Sequence, residues 1–296
     1  MFESIIGNEK IKTNLQKSIQ KGNLSHSYLF LGREGIGKKK LAKEFAKSIL
    51  CLQGGENENQ CKSCLEFDTD NHPDFTIIKP EGNSLKIDQI RELQTKVSEK
   101  PIISTKKVYL IDDSDKMTTE AQNALLKTLE EPPEFVIILL IGSNESAFLT
   151  TIRSRCMILH FQPIPDEEIK KYLSKQYQIE NISSTWLKTC QGSIGKANQL
   201  NGKIELYQKI EQFVQDIPQT NLLDLWKKAE FLKEEKDQIG ELLDYMNVLF
   251  LSLAKEDYRY TRGIEMVENT KKRLKSNGNY DMSIDNLILQ MKEQIR

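Results

Sequence analysis

The chain has 296 residues, enough for two or three domains and a sizeable core. Charged residues make up 29% and hydrophobic ones 38%, the balance of an ordinary soluble protein. A net charge of −1 excludes a protein that coats nucleic acid by bulk charge, though not one with a local basic patch. Met1-Phe2-Glu3-Ser4 does not open like a signal peptide, and the longest apolar run, Phe135 to Ile141, is too short to span a membrane. Five cysteines, an odd count with three close together, suit cytosolic thiols or a metal site better than a disulfide scaffold. A cytoplasmic address is expected.

Residues 8–20 place Ile11, Leu15 and Ile19 four apart, which predicts an amphipathic helix. Tyr28 to Leu31 is an apolar run long enough for one buried strand. Gly32-Arg33-Glu34-Gly35-Ile36-Gly37-Lys38 then fits the first seven positions of the phosphate-binding loop G-x-x-x-x-G-K-[ST]. Leu41, Ala42, Phe45, Ala46, Ile49 and Leu50 follow at helical spacing, completing a strand–loop–helix unit. Glycines let backbone N–H groups curl around phosphate oxygens, and a helix N-terminus adds partial positive charge. Lys38 would reach the terminal phosphates of ATP or ADP. The eighth position should carry the hydroxyl that ligates Mg²⁺, and here it is Lys39. An ammonium has no lone pair to offer and repels the metal. The plainer alternative is a glycine-rich turn with no ligand.

Gln53 to Gln60 is polar, and Cys61 to Asp74 is rich in Cys and Asp, so residues 51–72 read as an inserted loop. Asp74 to Lys79 predicts a second strand. A helix follows over Ser84 to Glu99, with Ile87, Ile90, Leu93 and Val97 on one face. Lys107 to Ile111, Phe135 to Ile141 and Met157 to Phe161 predict strands three to five. Apolar strands alternating with helices imply a parallel sheet covered on both faces, with ligands at the carboxyl ends of its strands. From Pro165 the strand signals stop. Short helices flank a Gln191-Gly192-Ser193-Ile194-Gly195-Lys196 turn, and 203–296 is helical only, as in Leu242, Leu243, Met246, Leu249, Phe250 and Leu253.

Val108-Tyr109-Leu110-Ile111-Asp112-Asp113 has the Walker B form, an apolar strand ending in carboxylates. The first would hold Mg²⁺ and the second polarise the attacking water. Asp113 is one methylene shorter than the usual Glu. Residues 112–115 read equally as a turn before a helix with Thr119 as N-cap and Gln122 as its capping-box partner.

Gly32–Lys38, the LIDDSD run at 110–115, Asn123-Ala124-Leu125-Leu126-Lys127-Thr128-Leu129-Glu130-Glu131-Pro132-Pro133 and Ser154-Arg155-Cys156, in that order, resemble the bacterial clamp-loader branch of the AAA+ proteins, and within it the delta-prime class. The motifs cover residues 1–200. The resemblance implies an α/β AAA+ module over 1–164, a helical lid over 165–202 and an all-α collar over 203–296. It implies that Arg155 acts as a trans finger on a neighbour's ATP, where spacing alone suggests a surface ion pair. Ser143 falls at the sensor 1 position. Gly195 stands where active subunits carry the sensor 2 arginine, so Lys39, Asp113 and Gly195 all depart from an active site. The implied role is a scaffold with little or no catalysis of its own within the DNA polymerase III holoenzyme. Its implied partners are ATPase subunits of the tau/gamma type, a delta subunit, a sliding clamp and primed DNA. An active tau/gamma-type ATPase is the alternative. A small-molecule P-loop kinase leaves the SRC and LEEPP runs unexplained.

Cys51, Cys61 and Cys64 resemble the four-cysteine zinc module inserted in this family, whose next C-x-x-C step lands on Phe67. Asp68, Asp70 and His72 are near enough in sequence to supply a fourth ligand, although His72 also reads as a turn residue. Cys156 and Cys190 are expected as buried thiols, and His26 and His160 as satisfied core histidines.

Overall fold

The computed structural model describes residues 1–54, 61–179, 182–276 and 278–295. The 55–60 part of the expected inserted loop lies outside them. Two compact units form, one of Met1–Glu168 with Gly192–Gly195 and one of Ile169–Gln191 with Lys196–Arg296.

The first unit runs α1 (Glu9–Gln20), β1 (Ser27–Leu31), α2 (Lys38–Leu50), α3 (Lys62–Asp68), β2 (Phe75–Ile78), α4 (Ile87–Val97), β3 (Lys107–Ile111), α5 (Thr119–Glu130), β4 (Val136–Gly142), α6 (Thr150–Arg153) and β5 (Met157–His160). All five strands are parallel, in the order β2-β3-β4-β1-β5. Every residue of β1, β3 and β4 is buried, as the unbroken apolar runs require of a sheet covered on both faces. Their side chains alternate between two layers. Tyr28, Phe30, Val108, Leu110, Leu139 and Ile141 join α1 and α2 on one face, while Leu29, Leu31, Tyr109, Ile111, Ile138 and Leu140 join α4 and α5 on the other.

This order sets the ends of β3, β4 and β1 side by side, so Asp112, Ser143 and the loop after Leu31 converge on one crevice. That is the strand-end position where ligands bind in open α/β sheets.

Three local expectations change. Cys61–Asp74 is not all loop, because Cys61 caps the seven-residue α3 by accepting from the Cys64 amide. The N-cap of α5 is Thr118, whose hydroxyl accepts from the Ala121 amide, rather than Thr119. Gln122 is not its box partner: its amide donates to the Ala147 carbonyl at 2.9 Å and its oxygen accepts from the Leu149 amide at 2.8 Å.

Among its described residues, the second unit contains helices and no strand. Helices α7 (Asp166–Tyr177), α8 (Ser184–Cys190), α9 (Ile194–Asn201), α10 (Ile204–Asp216), α11 (Leu222–Lys228), α12 (Glu230–Glu234), α13 (Ile239–Leu253), α14 (Thr261–Lys275) and α15 (Tyr280–Gln294) follow in order. In α13, Leu242, Leu243, Met246, Leu249 and Phe250 are buried at helical spacing. Gly263 of α14 is tight against them, since an added Cβ would fall 2.8 Å from the Phe250 ring.

Candidate functional site: a phosphate loop with an internal counter-ion

The glycine loop joins β1 to α2 with positive φ at Gly35 (71°) and Gly37 (96°), a region that L side chains seldom enter. Helix α2 opens with Lys38, Lys39 and Lys40 and has no acidic residue in its first turn. Cations there oppose the helix dipole, a local cost that a bound anion would offset. The loop borders a cleft of 320 Å³ lined by Glu34, Gly35, Lys38, Lys39, Asp112 and Ser143, among others. The predicted loop, Walker B and sensor 1 residues are therefore brought together.

Lys38 is buried, and its ammonium donates to the loop's own Gly32 and Arg33 carbonyls, the latter at 2.7 Å, and to Ser143 Oγ at 3.2 Å. Burial lowers its pKa, opposed by the negative charge of Asp115, Glu34, Asp113 and Asp112. Lys39 Nζ sits 2.7 Å from Asp112 Oδ2. The carboxylate that would serve a metal is thus paired with the side chain that replaces the metal's hydroxyl ligand. Asp113 has φ 45° and turns its carboxylate to Lys116, 2.7 Å away. Asp115, expected only as part of the 112–115 turn, accepts from the Ser143 and Asn144 amides at 3.0 Å each and fixes the end of β4.

Gly195 also reaches this site. Its amide donates to the Gly35 carbonyl at 2.9 Å. Arg155, after the short α6, lies against α5: Nη2 is 2.6 Å from Glu130 Oε1, and Nη1 donates to the Thr151 carbonyl at 3.0 Å.

The sulfurs of Cys51, Cys61 and Cys64 converge within 4.8 Å of one another. Burial works to raise the Cys61 thiol, but hydrogen bonds from the Cys64 and Leu52 amides and from the neighbouring thiols outweigh it and bring it to about 7. Burial pushes Cys64 up. Asp68, Asp70 and His72 do not join the sulfurs: Asp68 pairs with Lys47 at 2.6 Å and Asp70 with Lys43 at 3.0 Å. His72 is the satisfied core histidine, whereas His26 and His160 are exposed, His160 lying 3.9 Å from Glu145. Cys190 is buried as expected and Cys156 only partly so.

Ser63, His72 and Asp74 have the residue types of a hydrolytic triad, but the Asp74 carboxylate accepts from the Ile102, Ile103 and Ser104 amides, and the proton arrangement at His72 is reversed. The Asp74 amide donates to His72 Nδ1 at 3.0 Å, so Nε2 carries the hydrogen and points it at Ser63 Oγ, 2.8 Å away. Ser63 in turn donates to the Leu50 carbonyl at 2.7 Å. Such a serine is a structural link and has no base to activate it.

The profile of the family described as "DNA polymerase III, delta subunit" matches residues 7–165. The DNA polymerase III subunit delta' of Bacillus subtilis (strain 168) is 32% identical over 317 residues, covering 94% of each chain. DNA polymerase III subunit tau of the same organism is 36% identical over 183 residues, 61% of this chain and 32% of that one. Among solved structures, a DNA polymerase III gamma subunit-related protein from Thermotoga maritima aligns over 96% of this chain and 99% of its own, at 19% identity and a TM-score of 0.44. The five-stranded parallel sheet, the family profile and the Bacillus subtilis relatives define a subunit of the DNA polymerase III clamp loader. Within that class, the chain belongs to the delta' family of DNA polymerase III.

Proposed function

We propose that this chain serves the clamp loader without hydrolysing ATP, scaffolding the assembly and lending Arg155 to a neighbouring ATPase subunit. The observation that carries this reading is the Lys39–Asp112 pair at 2.7 Å. Half exposed on the lysine side, it adds no more than about 1 kcal/mol of stability. Its chemical effect is larger. A divalent ion about 4 Å from an ammonium is repelled by several kcal/mol at the effective dielectric of a protein surface. Mg²⁺ also dehydrates reluctantly and needs its ligands in place. ATP or ADP would then bind Gly32, Gly35, Gly37 and Lys38 weakly and with little magnesium dependence.

The reading extends the 1–164, 165–202 and 203–296 segments to a nucleotide-binding-like module, a lid and a collar that assembles with tau/gamma-type and delta subunits. The sliding clamp and primed DNA would be met through that complex, in the cytoplasm. Cys51, Cys61 and Cys64 would hold zinc. Calorimetric titration of the chain with ATP, with and without Mg²⁺, beside a turnover assay tests the nucleotide part. Weak, magnesium-insensitive binding without turnover is expected. A steep magnesium requirement with steady hydrolysis would return the chain to the active tau/gamma type.

A further inference from the structure

The cysteine cluster is three-quarters of a tetrahedron. Cys51 leaves the end of α2 in extended conformation, Cys61 is the N-cap of α3, and Cys64 lies in its first turn. Their sulfurs are 3.9 Å apart from Cys51 to Cys61 and 3.5 Å from Cys61 to Cys64. A zinc–sulfur bond of about 2.3 Å in tetrahedral geometry separates its sulfurs by about 3.8 Å. Two helix ends thus preset the spacing of three thiolates around one ion.

Among the described residues, the fourth vertex has no such preparation. Phe67, one helical turn beyond Cys64, is buried in the main core with its ring 4.5 Å from that of Phe75. Asp68 and Asp70 are paired with lysines, and His72 is held between Ser63 and the Asp74 amide. Glu66 lies 3.8 Å from Lys62. Among the described residues, no further His, Cys, Asp or Glu joins the three sulfurs. Nor does the anchoring of α3 depend on a fourth ligand, because Ser63 and Ser104 both donate to the Leu50 carbonyl at 2.7 Å. Cys64 is fully buried, while Cys51 and Cys61 keep 8% and 9% exposure, and Leu52–Gly54 after Cys51 is exposed.

We infer that Cys51, Cys61 and Cys64 hold one thiophilic divalent ion through three thiolates, and that its fourth position takes an exchangeable small Lewis base from solution. The inference rests on the metal reading of the cluster. A closed four-ligand site is structural, whereas three protein ligands and one labile position leave the ion open to water or a small thiol. Loss of the ion would leave α3 in place, held by the Ser63–His72–Ser104 contacts.

The test replaces the native ion with Co²⁺ in the full chain and follows its visible absorption. One equivalent of Co²⁺ should give tetrahedral d–d bands with sulfur charge transfer. Imidazole, and separately 2-mercaptoethanol, should shift those bands saturably, and the metal-stripped chain should keep a cooperative melt. Cys61→Ser and Cys51→Ser should each abolish stoichiometric binding, with the melt showing that each variant still folds. A Co²⁺ spectrum unmoved by either base would show that the chain itself closes the site, overturning the open vertex while leaving the metal reading intact. Absence of stoichiometric Co²⁺ would overturn both.

Discussion

The amide of Gly195, in the first turn of α9, donates to the carbonyl of Gly35 at 2.9 Å, so the 192–195 segment lies directly against the phosphate loop. A Cβ on Gly195 would fall 2.8 Å from Gly35 Cα and 3.2 Å from its carbonyl oxygen. Both neighbours are backbone, so no rotamer change relieves the overlap. Position 195 is therefore built for a peptide contact, and no side chain fits there without moving the loop.

Gly195→Ala should destabilise the chain by about 1–3 kcal/mol, as overpacking does. Gly195→Arg should lose more and restore no ATP turnover. Urea midpoints of the parent and both variants are the measurement. An alanine variant as stable as the parent would mean that the two glycines do not touch in solution.

Lys39→Thr supplies the missing hydroxyl and frees Asp112. Magnesium should then tighten ATP binding by tenfold or more, about 1.4 kcal/mol, where the parent shows no such gain. Turnover should stay at background, because Asp113 remains paired with Lys116 and Gly195 carries no side chain. Calorimetry at matched ionic strength decides. An equal magnesium response in parent and variant would remove Lys39 as the block.

His72 gives the fold a pH-dependent element. Burial lowers its pKa, outweighing the negative charge of Asp74 and Glu66, so the folded chain holds the ring neutral. The unfolded chain binds a proton near pH 6.5. The stabilising contribution is therefore complete above about pH 6.5 and is lost as pH falls toward the depressed folded value. We expect the urea midpoint to drop between pH 7.5 and 5.5 by more in the parent than in His72→Gln, which lacks the ring. Parallel pH profiles would assign the loss to other groups.

Much of this arrangement was legible in the sequence because its signals are local. Unbroken apolar runs such as Phe135–Ile141 give fully buried strands, and the glycine spacing from 32 to 37 gives the loop. What escaped was set by partners distant in the chain. His26 precedes β1 and His160 ends β5, yet each falls at an exposed position, whereas His72, beside a turn, is buried and bonded to Ser63 and the Asp74 amide. Thr119 and Thr118 are equally good caps by type, and only backbone geometry selects Thr118. The charge at Lys39 suggested repulsion of a metal, but its contact with Asp112 depends on strand order, which no short motif encodes.

The proposed link to a neighbouring subunit is tested at Arg155. Within this chain its guanidinium rests on Glu130, the last residue of α5, and its side chain is 33% exposed. Leaving Glu130 would cost no more than about 1 kcal/mol, small beside the 10³–10⁵-fold effect, roughly 4–7 kcal/mol, credited to an arginine finger. Arg155→Ala should therefore change stability by less than about 1 kcal/mol. In a reconstituted loader it should lower DNA- and clamp-stimulated ATPase, with a smaller fall in bulk rate than at the affected site because other subunits carry their own sites. Arg155→Lys should rescue little, since an ammonium lacks the planar fork. Glu130→Gln separates the two roles by freeing the guanidinium without removing it, so the loader should keep its full rate. ATPase and loading rates at equal assembly are the readout. If Arg155→Ala matches the parent, the residue serves Glu130 alone and the chain contributes only scaffold.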